Sequence, residues 1–176
     1  DPLRSESRFD SVPLFGLGTT YELAEKLDFY TNISQGYKPA TYQDIIPLNT
    51  GDTISSDLDP AKSISYEAGI RSTRKWITFD SSFFITNYQD QFGRVETEIR
   101  NVGRGRYYGF DVGVEVSVFD LAFGRDQNNK AYGDLSLYSN VSLLNAEFTA
   151  GPVEGKTPQY APDYLLRTGL VYDYDR

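Results

Sequence analysis

From Tyr108 to Val118 the chain alternates without interruption. Phe110, Val112, Val114, Val116 and Val118 fall on one parity, and Gly109, Asp111, Gly113, Glu115 and Ser117 on the other. A period of two belongs to a β-strand, because successive side chains leave opposite faces of the backbone. The same rule governs six other stretches. Leu27, Phe29 and Ile33 oppose Asp28, Asn32 and Ser34, while Ile64, Tyr66, Ala68 and Ile70 oppose Ser65, Glu67, Gly69 and Arg71. Ile77, Phe79, Phe83 and Ile85 alternate with Thr78, Asp80, Ser82 and Thr86, and Leu135, Leu137, Val141 and Leu143 with Asp134, Ser136, Asn140 and Ser142. Nearer the ends, Phe15, Leu17 and Tyr21 oppose Gly16, Gly18 and Glu22, and Leu166, Leu170 and Tyr172 oppose Arg167, Gly169 and Asp173. The pattern predicts strands over 13–23, 26–36, 63–72, 75–88, 105–119, 133–146 and 163–174.

Between the first and last residues named for each stretch, the apolar parity carries no Asp, Glu, Lys or Arg. That is what a lipid-facing wall requires, since Arg or Lys at the bilayer midplane of a barrel costs about 2–4 kcal/mol. Ser81, Ser139 and Thr168 interrupt the apolar side, and Phe84 and Leu144 the polar side. A soluble β-sandwich also keeps charge off its inner face, so a sandwich binding module stays open as an alternative. The connections favour the membrane reading. They are short near Ala24-Glu25 and Thr73-Arg74, middling over 120–132, and long over 37–62, 89–104 and 147–162. Outer-membrane barrels alternate short periplasmic turns with long outer loops in this way. The expected fold is therefore all-β: an antiparallel transmembrane β-barrel segment, with strand 13–23 running inward.

That polarity puts Tyr37, Lys38, Tyr42, Arg94, Arg100 and Tyr160 outside the cell and Trp76 at the periplasmic interface. The 120–132 stretch, with Gly124, Asp126, Asn128 and Asn129, is expected to be a larger periplasmic turn. The 37–62 loop, broken by Pro39, Pro47 and Pro60, is expected to be irregular.

Composition narrows the function. The 176 residues have net charge −8 and mean hydropathy −0.47, and no run approaches the ~20 apolar residues of a membrane helix. A barrel is compatible with such low hydropathy, because its strands are half polar. Aromatics reach 15%, and Trp76, Tyr88, Tyr107, Tyr108, Tyr164, Tyr172 and Tyr174 are candidates for interfacial girdles. Cys 0 excludes disulfides, and His 0 excludes His-based acid–base catalysis and the usual zinc sites. The acidic balance argues against a nucleic-acid partner. An enzyme is not expected, and no cofactor or metal is implied. The acids Glu67, Asp80, Asp111 and Glu115 are read as lumen-facing rather than as a catalytic carboxylate pair. Gly103, Gly105, Gly109 and Gly113 precede no helix, so they make no phosphate loop and are read as sites of sheet curvature and close approach.

Five segments, in order, resemble the TonB-dependent outer-membrane receptors. They are Phe29–Thr41, running into Gly36-Tyr37-Lys38-Pro39; Asp59–Arg71, with Tyr66-Glu67-Ala68-Gly69; Asn101–Asp111, with Asn101-x-Gly103 and Gly109-Phe110-Asp111; Leu144–Phe148; and Pro158-x-Tyr160-Ala161-Pro162 before Leu170-x-Tyr172. Asp111 stands where Glu is usual. The resemblance covers nearly the whole chain and implies the middle-to-late part of a barrel of about 22 strands around a plugged lumen. Residues 1–176 would then be one partial barrel domain of about seven strands, with the plug domain and the closing strand outside it.

The resemblance further implies uptake of a ferric siderophore or ferric citrate-like chelate across the outer membrane of a Gram-negative bacterium, energised through TonB acting on the plug. A passive porin is the alternative that the strand pattern alone would serve. Implied partners are the ferric chelate, outer-membrane lipid and lipopolysaccharide, the plug and the TonB complex. Since such chelates are often anionic, Tyr37, Lys38, Arg94, Arg100 and Arg104 are the candidate ligand contacts. Arg106 falls on the lipid-facing parity near the rim, where lipopolysaccharide is the better partner.

Overall fold

The computed structural model describes residues 12–39, 51, 53–55, 58–124, 133–159 and 161–174, with Arg94 placed by its backbone alone. Tyr42, Asp126, Asn128, Asn129 and Tyr160 lie outside the described residues. Eight strands form one sheet: β1 (Gly16–Ala24), β2 (Leu27–Lys38), β3 (Thr53–Ile54), β4 (Ala61–Thr73), β5 (Ile77–Val95), β6 (Glu98–Ser117), β7 (Asp134–Ala150) and β8 (Tyr164–Asp173). The order is β1-β2-β4-β5-β6-β7-β8, every neighbour antiparallel to the next. Short β3 is the exception, pairing in parallel with Glu98 and Ile99 of β6. The antiparallel wall expected from the alternation is present, and among the described residues no helix is long and apolar enough to cross a membrane.

Register carries each parity unbroken across the sheet. One outer row runs Thr19, Thr31, Ala68, Phe83, Phe110, Leu143, Tyr164, and the next row towards the turns runs Tyr21, Phe29, Ile70, Ser81, Val112, Val141, Leu166. A slip of one residue at any seam would turn a strand's apolar set to the other face. The apolar rows stay largely uncovered within the sheet, with Phe83 at 46% and Leu143 at 51% exposure. Contiguous apolar surface of this extent needs an apolar partner phase. The three polar interruptions are absorbed locally. Ser81 is buried between its row neighbours, and Ser139 pairs with Thr168, whose Oγ1 donates to the Tyr138 carbonyl (3.0 Å).

Three boundaries differ from the sequence expectation. Residues 89–104 are not a long loop: β5 continues to Val95 and β6 starts at Glu98, so this stretch is a hairpin arm closed at Glu96-Thr97. A bulge at Asp90 (φ 55°) shifts the register between Tyr88 and Gln91 and hides the alternation. Second, β6 stops at Ser117, and α1 (Val118–Phe123) follows. Ser117 caps it, accepting from the Asp120 amide (3.3 Å). Third, the 37–62 connection contributes β3 and is not wholly irregular.

The short turns at 25–26 and 74–76, together with α1, lie at one end of the sheet. The β5–β6 arm and the β7–β8 connection lie at the other. Burial concentrates at that second end. Val102, at 2% exposure, is the largest fully buried side chain among the described residues, and Ala61, Ile99 and Ala146 are the other buried apolar residues.

Candidate functional site

The arm's edge explains how a site is built there. Pairing of β7 with β6 ends at Arg104–Ala150, which leaves residues 98–103 of β6 with one free edge. The returning limb of the 37–62 connection occupies it. The Thr53 amide donates to the Thr97 carbonyl (2.8 Å) and the Ser55 amide to that of Ile99 (2.9 Å). Asn101 extends the strap with its side chain. Its Oδ1 accepts from the Asp59 amide (2.8 Å), and its Nδ2 donates to the carbonyls of Asp59 (2.8 Å) and Asp90 (2.6 Å). One amide thus fixes both the loop and the bulge. Gly103 (φ 107°) and Gly151 (φ 103°) then cross so closely that a Cβ on either would meet the other's Cα at 3.2 Å. Both backbones need the left-handed region that glycine adopts without strain.

Beneath this arm, on the face of Ser65, Glu67 and Asp111, lies a cavity of about 900 Å³. That volume suits a small-molecule site. Its lining includes Tyr37, Lys38, Lys62, Tyr88, Phe92, Tyr107 and Lys156, with Val102 in the wall. Tyr88 and Tyr107 meet edge to face (centroids 4.9 Å, 66°), and Gln91 Nε2 donates to the Tyr107 hydroxyl (3.3 Å). Lys38 Nζ stands 5.7 Å from the centroid of Phe92. The described lining has three lysines and no carboxylate, in a chain of net charge −8. A concave site lined by one sign of charge concentrates ions of the other.

Of the five candidate contacts, Tyr37 and Lys38 border this cavity, Lys38 from the inner parity with Gly36 and Ser63 and Tyr37 from the outer parity, paired with Lys62. Arg94 sits in the arm opposite Ile99. Arg100 does not line the cavity; its Nη1 lies 3.6 Å from Glu98 Oε2. Arg104 is exposed on the outer parity, together with Arg106, whose Nε donates to Asn87 Oδ1 (3.2 Å). The girdle assignment of Tyr88 and Tyr107 is corrected: register with Ser63 and Thr86 puts both on the inner face. Tyr107 shares the parity of Gly109 and Asp111, so the signal was present in the sequence. Lys156 had none, since its role depends on a chain crossing, and Asn101 was marked only by the resemblance, in Asn101-x-Gly103.

Lower on the inner face, a polar row runs Glu22, Asp28, Arg71, Asp80, Gly113, Asn140, Arg167. Asp80 is its hub: Arg71 Nε lies 2.6 Å from Oδ2, and the Tyr30 hydroxyl donates to Oδ1 (2.9 Å). Arg71 also stands over the Tyr30 ring at 5.2 Å. Three glycines of this face are covered by the aromatic ring they pair with, Gly69 by Tyr30, Gly109 by Phe84 and Gly169 by Tyr138. Each ring lies where a Cβ would stand, within 2.5–2.8 Å. Phe84, an apolar residue on the polar parity, therefore has a seat across the strand boundary.

The family model for TonB dependent receptor-like β-barrels matches residues 3–176. The chain belongs to that family. Similar solved folds include the ferric yersiniabactin uptake receptor FyuA from Yersinia pestis (24% identity, TM-score 0.64, 88% of this chain and 22% of that one). The ferric citrate transporter FecA in its unliganded form matches at 20% identity and TM-score 0.64, over 90% of this chain and 23% of its own. The copper transporter OprC matches at 13% identity and TM-score 0.63, over 90% and 24%. At these identities the likeness is one of fold. This TonB-dependent receptor-like chain spans under a quarter of the length of these three proteins.

Proposed function

We propose that residues 1–176 are one partial barrel domain of an outer-membrane active transporter in a Gram-negative bacterium, and that the whole protein takes up an anionic ferric chelate of the siderophore or citrate class. The observation that carries this is the cavity under the β5–β6 arm, with Lys38 and Lys156, inward-facing aromatics and no described carboxylate in its lining. Membership of a family of receptors and transporters, rather than enzymes, supports transport. In this reading the long-loop end faces outward and Tyr37 and Lys38 meet the ligand. Arg94, Arg100 and Arg104 belong to the outer rim, where Arg104 and Arg106 face lipopolysaccharide. The inner polar row faces a plug domain, and energy arrives through TonB. The protein's task is binding and passage, without covalent chemistry.

The test is growth on defined ferric chelates as sole iron source. Deleting the gene should abolish growth on one chelate, and the full-length protein should restore it. Lys38→Glu with Lys156→Glu, at wild-type outer-membrane abundance, should weaken binding of that chelate by about tenfold or more, as expected when like charge replaces complementary charge in a concave site. Unchanged affinity in the double variant would remove the cavity from the mechanism. Growth unaffected by the deletion on every ferric chelate would remove iron as the cargo.

A further inference from the structure

The end of β6 carries an apolar surface that neither strand pairing nor the cavity under the arm uses. In α1, Val118, Phe119, Leu121, Ala122 and Phe123 are apolar and Asp120 alone is charged. At ~100° per residue, the five apolar side chains spread over one broad arc and Asp120 falls opposite its centre. The structure fixes which way that arc points. Asp120 lines a second cavity, of about 410 Å³, together with Glu115, Ser117 and Ser136, all three of the inner parity. Ser117 anchors the same side, its Oγ donating to Asp134 Oδ1 (2.7 Å). The apolar arc therefore points away from the inner face, and Phe123 and Leu121 are 70% and 55% exposed.

What covers it follows from continuity. The outer parity of β6 runs through Val112, Val114 and Val116 straight into Val118, so the arc extends the same apolar wall around the sheet's short-turn end. Trp76 stands at this end. Its carbonyl accepts from the Ser117 amide (2.9 Å), and its side chain is 40% exposed. Trp concentrates at membrane–water boundaries. A short helix with one charged side and an apolar side is suited to lying in the interfacial plane.

We propose that α1 is an interfacial anchor that seats Phe119, Leu121 and Phe123 in the headgroup–acyl boundary of the leaflet at the short-turn end. This rests on the reading of the outer parity as a lipid face. The anchor would fix how deep this sector of the wall sits, with Trp76 at the same level. Unlike the valines above it, the helix meets lipid side-on, with the Asp120 amide satisfied by the Ser117 cap and its terminal carbonyls left to the hydrated headgroup region.

The experiment uses single-cysteine variants of the full-length protein, labelled with an environment-sensitive fluorophore. They are reconstituted in phosphatidylcholine vesicles carrying nitroxides at a shallow or a deep acyl position. Phe123→Cys should be quenched by the shallow nitroxide, at the ~5–10 Å depth of an interfacial helix. Val114→Cys should be quenched by the deep one, and Asp120→Cys by aqueous iodide. Quenching of Val114→Cys by lipid with Phe123→Cys answering only to iodide would overturn the anchor and leave the lipid face intact. A Val114→Cys label untouched by either nitroxide would overturn both.

Discussion

Val114 and Gly113 are neighbours in sequence and meet opposite surroundings. Val114 sits in an outer row between Phe79 and Ser139, presented to whatever covers the sheet. Gly113 sits in the inner polar row between Asp80 and Asn140, whose Oδ1 would lie 2.9 Å from an added Cβ. Over the body of the sheet the outer face asks only that a residue be uncharged and mostly apolar, and Val, Leu, Ile, Phe and Tyr interchange along its rows with an occasional Ser or Thr. The inner face is specified pair by pair: a ring over a glycine, a hydroxyl on a carboxylate, a guanidinium beside both. A solvent that is the same everywhere selects for composition. Neighbouring side chains select for shape.

The comparison breaks most visibly at Val114. Val114→Arg should cost about 2–4 kcal/mol and deplete the folded, heat-modifiable species in outer-membrane fractions, whereas Gly113→Ala, meeting only the end of a flexible Asn140, should stay within ~0.5 kcal/mol in a urea titration. The glycine–aromatic pairs sharpen it. At Gly109 a Cβ meets the Leu143 carbonyl as well as Phe84. Gly109→Ala should therefore destabilise by about 1–3 kcal/mol, with little recovered by adding Phe84→Ala. At Gly169 all three nearest atoms belong to the Tyr138 ring. Gly169→Ala should cost less, and Tyr138→Ala should cancel that cost in a double-mutant cycle. Equal recovery at both positions would contradict the distinction. A small effect is also expected at Asp80→Asn. Arg71 is 58% and Asp80 35% exposed, so solvent screens the pair. A loss of no more than about 1 kcal/mol, shrinking as salt is added, is expected in the same titration.

How much of this was legible in the chain follows from where the two faces differ. Over the body of the sheet one side is apolar and the other polar, so parity alone assigns Ile33, Tyr66, Ile85 and Tyr108 to one face and Asn32, Glu67 and Gly109 to the other, while their alignment into rows comes from the register. Beyond Tyr88 that contrast ends. Gln91, Gly93, Asn101 and Gly103 carry no alternation, and the bulge at Asp90 resets the phase, so the arm resembles a loop in sequence. In α1 the failure has the opposite cause. Val118 continues the strand's parity by chance, and only the Ser117 cap with Asp120 at N3 marks the change of period. Within the candidate site, Tyr37 and Lys38 were visible as aromatic and basic residues beside a loop. Lys156 and Asn101 act across chain crossings, which no local pattern encodes.

The strap across the arm has a consequence for the order in which the molecule assembles. Six of the seven strand pairings join consecutive long strands and can form hairpin by hairpin, including β2 with β4 once its loop has closed. The bonds of Asn101 to Asp59 join residues 42 positions apart, and β3 pairs with a strand separated from it by two others. Closing such a span before its partner edge exists brings entropy loss without a bond in return. Thr53–Ser55 and Asp59 are therefore expected to dock after β5 and β6 have paired, when residues 98–101 first offer an edge. Protection of the Thr53 and Ser55 amides from hydrogen exchange would then be among the last to appear during refolding, a clock for completion of the outer arm.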